Sequence, residues 1–134
     1  MSMWTMTKFY TLPMGRVFLA LLDIRRASPT FGANVGLEWS ATDGFAVPVP
    51  AGVAHAVFFV NDSALVFGLG DYWKAELDVV GCRWDNLDHT LPWPAKTARL
   101  SGRDSSSESF AEMAAHYEML SDSVKSAARA RDGD

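Results

Sequence analysis

Cysteine is nearly absent from this chain: Cys82 stands alone, which excludes an internal disulfide and fits a reducing compartment. Long apolar runs are missing too. The longest, 17–22 and 54–60, fall far short of the roughly 18–20 residues that a membrane-spanning helix takes. The opening Met1-Ser2-Met3-Trp4-Thr5-Met6-Thr7-Lys8 has neither the charged start nor the continuous apolar stretch of a secretory leader, so a cytoplasmic protein is expected. There is no basic excess: 12 Lys+Arg against 16 Asp+Glu leave a net charge of −4, with no broad footprint for nucleic acid or anionic membrane. Histidine is scarce. His55, His89 and His116 stand apart from one another and from Cys82, at no spacing that suits zinc or iron, so neither a metal nor another cofactor is expected. Gly68-Leu69-Gly70 lacks the third glycine and following helix of a dinucleotide loop and reads as a turn. No internal repeat is present.

What remains is a chain of 134 residues, 49% hydrophobic and 12% aromatic, enough for one domain that buries about two-thirds of its unfolded surface. Strand signals dominate the first hundred residues, in short Val, Phe and Leu runs at 8–12, 17–24, 34–40, 45–49, 54–60 and 64–69, with a further short one around 79–84. Pro13-Met14-Gly15, Asp43-Gly44, Pro50-Ala51-Gly52 and Asn61-Asp62-Ser63 punctuate them as turns. Consecutive strands with no helix between them pair antiparallel, in a sandwich or barrel. Residues 87–103 hold Pro92 and Pro94 and no periodicity, and are expected as an irregular arm anchored by Trp84 and Trp93. Phe110, Met113, Ala114, Tyr117 and Leu120 share one helical face, so a single C-terminal helix over 105–120 closes the same domain. Beyond it, 121–134 reads as a disordered tail.

Two features carry candidate chemistry. His55 opens an otherwise apolar strand and is either a hydrogen-bonded core histidine or a pocket group. Arg25-Arg26, after Asp23, is either a solvated strand end or a guanidinium fork for phosphate.

Set in order, Gly15-Arg16-Val17-Phe18 and Asp23-Ile24-Arg25-Arg26-Ala27-Ser28-Pro29-Thr30-Phe31-Gly32 resemble a stretch of the dTDP-4-dehydrorhamnose 3,5-epimerase family. The resemblance continues in register. Pro50-Ala51-Gly52-Val53-Ala54-His55 is similar to that family's Pro-x-Gly-x-Ala-His, Gly70-Asp71-Tyr72-Trp73 to its Asp-Tyr-Tyr, and Arg83-Trp84-Asp85 to its Arg-Trp-Asp. Trp93-Pro94 and Leu100-Ser101-Gly102-Arg103-Asp104 resemble its Trp-Pro and Leu-Ser-x-Lys-Asp. The resemblance implies an all-β, antiparallel, cupin-like jelly-roll barrel with one C-terminal α-helix, free of metal and usually homodimeric. Ala54-His55-Ala56 agrees, having one histidine where a metal-binding cupin has two.

The implied substrate is a nucleotide sugar, dTDP-4-dehydro-6-deoxyglucose, in dTDP-rhamnose biosynthesis. A hydrogen next to its carbonyl leaves only if the enolate is stabilised, which takes a base, a cation at the keto oxygen and an acid on the other face. In the family these are a histidine oriented by an aspartate, a lysine and a tyrosine. Lys8 matches the lysine. The base histidine belongs to an upstream Arg-Gly-Leu-His block that this chain is expected to lack. The orienting aspartate falls on Leu19 and the acid tyrosine on Phe67. Lys8, His55 and Tyr72 are therefore the expected catalytic groups, with His55 as substitute base, and Arg25, Phe67 and Asp104 the expected substrate-binding groups. The implied activity is that of an impaired or diverged epimerase; the alternative is a non-catalytic nucleotide-sugar-binding or scaffold protein. An edge or apolar patch left by the missing strands implies a homodimer, with Met1-Ser2-Met3-Trp4-Thr5-Met6 as a strand across its interface.

Overall fold

Residues 17–22 are apolar at six successive positions, whereas a strand with one wet face alternates. The computed structural model, which describes residues 6–72, 81–85 and 91–132, supplies the reason. Six strands, β1 (Lys8–Met14), β2 (Arg16–Asp23), β3 (Asn34–Ser40), β4 (Ala46–Val49), β5 (Val53–Phe59) and β6 (Ala64–Leu69), form two antiparallel sheets of order β4-β1-β6 and β3-β2-β5. Strand β2 is central and covered on both faces. Its Val17 and Leu19 join Tyr10, Leu12, Trp39 and Val49 between the sheets, while Phe18, Ala20 and Leu22 point outward to Leu91, Phe110 and Met113. A two-sided strand has no polar face to alternate with.

The outer cover is helical. After a short turn, α1 (Gly102–Ser105), comes α2 (Phe110–Asp132), whose Phe110, Met113, Tyr117 and Leu120 pack on the β3-β2-β5 sheet. The helical face is the one its spacing predicts, but its bounds differ from 105–120 at both ends. The true start is a reciprocal cap: the Ser109 amide donates to Glu112 Oε2 at 2.9 Å and the Glu112 amide to Ser109 Oγ at 3.3 Å. At the other end α2 runs on to Asp132 where a tail is expected, in keeping with the high helix propensity of alanine and arginine. The arm keeps its irregular course over 91–101. Trp93 anchors it, its indole N–H on the Trp84 carbonyl at 2.9 Å and its ring 5.4 Å from that of Phe18.

Gly15 makes the β1–β2 turn at φ +91, where a Cβ would lie 2.5 Å from the Asp62 carbonyl oxygen. The Asn61-Asp62-Ser63 turn is thereby clamped on β2: the Arg16 amide donates to Asn61 Oδ1 at 2.8 Å. Of the short strand expected around 79–84, the described part is one parallel bridge, Cys82 to Glu108. His89 and most of the strand expected at Met1-Ser2-Met3-Trp4-Thr5-Met6 lie outside the described residues. No described helix is long and apolar enough to cross a membrane.

Candidate functional site

Side chains alternate along a strand, so Lys8 and Tyr10 of β1, His55 and Val57 of β5, and Leu65 and Phe67 of β6 all face inward. Strands β5 and β6 are the edges of their two sheets. Between these edges lies a cavity of about 690 Å³, lined by those six residues and flanked by Trp84, Trp93, Thr97, Arg99, Arg103 and Asp104. Its charged lining is three cations, Lys8, Arg99 and Arg103, against one carboxylate, Asp104. Such a balance attracts an anion.

Lys8 and His55 are 5% and 3% exposed, unusual values for an amine and an imidazole. They are held together. Lys8 Nζ lies 3.5 Å from His55 Nε2 and 5.6 Å from the centroid of the Phe67 ring. His55 Nδ1 faces the Val53 carbonyl at 3.4 Å, which assigns the proton to Nδ1 and leaves the Nε2 lone pair for the lysine. Burial, and then the Lys8 charge, push the His55 pKa down to about 3. So weak a base is poorly matched to proton abstraction near neutrality, which argues against His55 as the substitute base and makes it an acceptor that fixes Lys8.

Of the candidate residues, Lys8, His55, Phe67 and Asp104 line the cavity, and Arg25 and Tyr72 do not. Arg25 lies off the cavity. Its guanidinium donates to both oxygens of Asp23, from Nε at 2.9 Å and from an Nη at 2.8 Å, and so ties down the loop after β2. Tyr72 is 88% exposed and does not line the cavity. Leu19 is fully buried between the sheets, so a leucine there takes nothing from the cavity wall. Asp104 lines the cavity from α1, its Oδ2 accepting from Ser101 Oγ at 2.6 Å.

Tyr10, Arg99 and Arg103 are cavity residues that the sequence reading passes over. Tyr10 had a signal: it sits two positions from Lys8 on one strand and therefore on the same face. Arg103 had one too, standing in the Leu100-Ser101-Gly102-Arg103-Asp104 motif beside Asp104, whereas Arg99 lies where no periodicity places a side chain. Among the described residues, no three His, Cys, Asp or Glu side chains gather as a metal site would need.

Comparison with known proteins agrees with this architecture. A curated dTDP-4-dehydrorhamnose 3,5-epimerase of Shigella flexneri is 30% identical over 99 residues, covering 74% of this chain and 55% of that protein. One of Pseudomonas aeruginosa is 32% identical over 109 residues, covering 78% and 59%. The chain thus spans little more than half the length of these relatives. Among solved structures, a Bacillus anthracis dTDP-4-dehydrorhamnose 3,5-epimerase with TDP and PPi bound superposes at a TM-score of 0.73, 28% identical, over 78% of this chain and 59% of that one. A Legionella pneumophila epimerase in complex with dTDP-4-keto-L-rhamnose gives 0.69 at 25% identity, over 84% and 64%. The sequence profile of the dTDP-4-dehydrorhamnose 3,5-epimerase family matches residues 2–112, and the chain belongs to that family.

Proposed function

We propose that the cavity binds a 4-keto-6-deoxy sugar carried on deoxythymidine diphosphate, and that Lys8 meets the keto oxygen. The observation that carries this reading is the buried Lys8 ammonium, fixed by His55 inside an apolar-walled cavity with Arg99 and Arg103 also on its lining. A cation held in place before the ligand arrives stabilises an enolate with little reorganisation, the largest single contribution such a site makes. The arginines suit a diphosphate. Trp84 and Trp93, edge to face at 5.7 Å, supply aromatic surface for a base or sugar. The ligands of the solved relatives, TDP and dTDP-4-keto-L-rhamnose, support the same class. On this reading the chain is an isomerase of dTDP-rhamnose biosynthesis, diverged in its proton-transfer groups.

The second reading, a nucleotide-sugar-binding protein without turnover, is favoured by Phe67, whose ring has no proton to give, and by the neutral His55. Calorimetric titration tests the shared part. The expected result is that dTDP-4-keto-6-deoxyglucose binds more tightly than dTDP and that Lys8→Met removes the difference. Equal affinities in the parent protein would sink the assignment of Lys8. A homodimer is part of the proposal, because Phe9 and Val66, both more than half exposed, leave an apolar outer face on the β4-β1-β6 sheet. Sedimentation at the monomer mass would remove it.

A further inference from the structure

We propose that Tyr10 is the group that carries a proton to and from the sugar carbon beside the keto group, an inference that rests on the nucleotide-sugar reading above. Tyr10 is 5% exposed, yet its side chain lines the cavity. It lies two residues from Lys8 on the inward face of β1, directly across the ladder from Phe67. Its ring centroid is 5.4 Å from that of His55 and 5.9 Å from that of Phe67, which puts a phenol among the residues around the ammonium.

The other described lining groups are less suited to the task. Arginine does not release its proton, so Arg99 and Arg103 cannot serve. His55 holds its Nε2 lone pair toward Lys8, and Lys8 is committed to the keto oxygen. Thr97 is a weaker acid than a phenol. Asp104 reaches the cavity from α1, its Oδ2 accepting from Ser101 Oγ at 2.6 Å, and is the rival that Asp104→Asn tests.

The step balances within the cavity. The phenol of Tyr10 first gives its proton to water, and its oxygen then takes the hydrogen: the C–H bond breaks, an O–H bond forms, and the electron pair moves to the keto oxygen, where Lys8 holds the enolate. Return runs in reverse, after the phenol proton has exchanged with water. One group working on one face returns the proton to the side it came from, so hydrogen exchange outruns inversion.

Proton NMR of dTDP-4-keto-6-deoxyglucose in deuterated water follows exchange at the carbons flanking the keto group, with dTDP binding measured on the same samples. The parent protein is expected to exchange above the buffer rate. Tyr10→Phe, which keeps the ring and removes only the hydroxyl, is expected to hold dTDP within about twofold and slow exchange by about tenfold or more. Tyr10→Phe with Phe67→Tyr, which moves the hydroxyl to the opposite ring, is expected to recover exchange, a result that lost packing would not produce. Parent protein that binds dTDP without exchange, Tyr10→Phe at the parent rate, or loss of exchange in Asp104→Asn with none in Tyr10→Phe would each overturn the role of Tyr10. Failure of the parent protein to bind dTDP would instead defeat the nucleotide-sugar reading, and this proposal with it.

Discussion

Among the described residues Lys8, Asp23 and His55 are the buried polar ones, and they occupy two contrasting regions. At the end of β2, Asp23 accepts from the Arg25 amide and guanidinium, from Ser28 Oγ at 2.7 Å and from Thr30 Oγ1 at 2.6 Å. These short bonds fill its acceptor sites, and the arginine holds its carboxyl far below the usual carboxylate range. Between β1 and β5, by contrast, Lys8 and His55 meet at 3.5 Å beside a cavity of about 690 Å³. Burial with saturation makes a structural staple. Burial beside open volume makes a site. The two regions should therefore answer differently to mutation and to pH.

The largest effect is expected at the staple. Asp23→Ala strands several donors of the loop and should cost about 3 kcal/mol, read as a lower urea midpoint, while leaving dTDP affinity unchanged in the folded protein. Because the folded carboxyl titrates below the unfolded one, its stabilisation is whole above about pH 4 and is lost as pH falls further. His55 acts in a separate window. Its folded pKa of about 3 lies below the ordinary 6.5, so the unfolded chain binds the proton first and stability falls as pH drops from 6.5 toward 3. The slope in mid-window should approach ~1.4 kcal/mol per pH unit and flatten in His55→Gln, as measured by unfolding at pH 4.5 to 6.5. A parent protein with no such slope would place the imidazole in water rather than in the cavity wall.

Lys8→Met sharpens the contrast. An apolar isostere of a buried cation should raise stability by about 1 kcal/mol while losing the preference for the keto sugar. It should also raise the His55 pKa, seen by NMR titration of the ring, since the Lys8 charge is one of the causes that depress it. The smallest effect is expected from Tyr72→Phe. At 88% exposure and off the cavity, it should change neither the unfolding midpoint nor dTDP affinity. A measurable loss of affinity there would mean that the ligand extends beyond the cavity edge.

Much of the fold is legible in the chain because its signals are local. Strands β3 and β6 have the expected bounds of 34–40 and 64–69, set by turn residues on either side. The helix face is legible from spacing, but its start is not: Ser105 and Glu108 offer the same three-residue interval as Ser109 and Glu112, and only the packing of Phe110 chooses between them. The site is less legible. Resemblance brings forward Lys8, His55, Phe67 and Asp104, which line the cavity, together with Arg25 and Tyr72, which do not.

By itself, then, the sequence determined the strand segments, the turns, the helical face and the family, all of which rest on neighbouring residues or on motifs in register, whereas the sheet orders β4-β1-β6 and β3-β2-β5 do not. Tertiary structure alone decided which buried polar group closes a loop and which lines a cavity. Lys8 and His55 stand 47 positions apart, and Asp23 and Thr30 only 7. A short loop closes on its own carboxylate, whereas a site between two sheet edges exists only once both sheets have formed and their inward faces are turned toward each other.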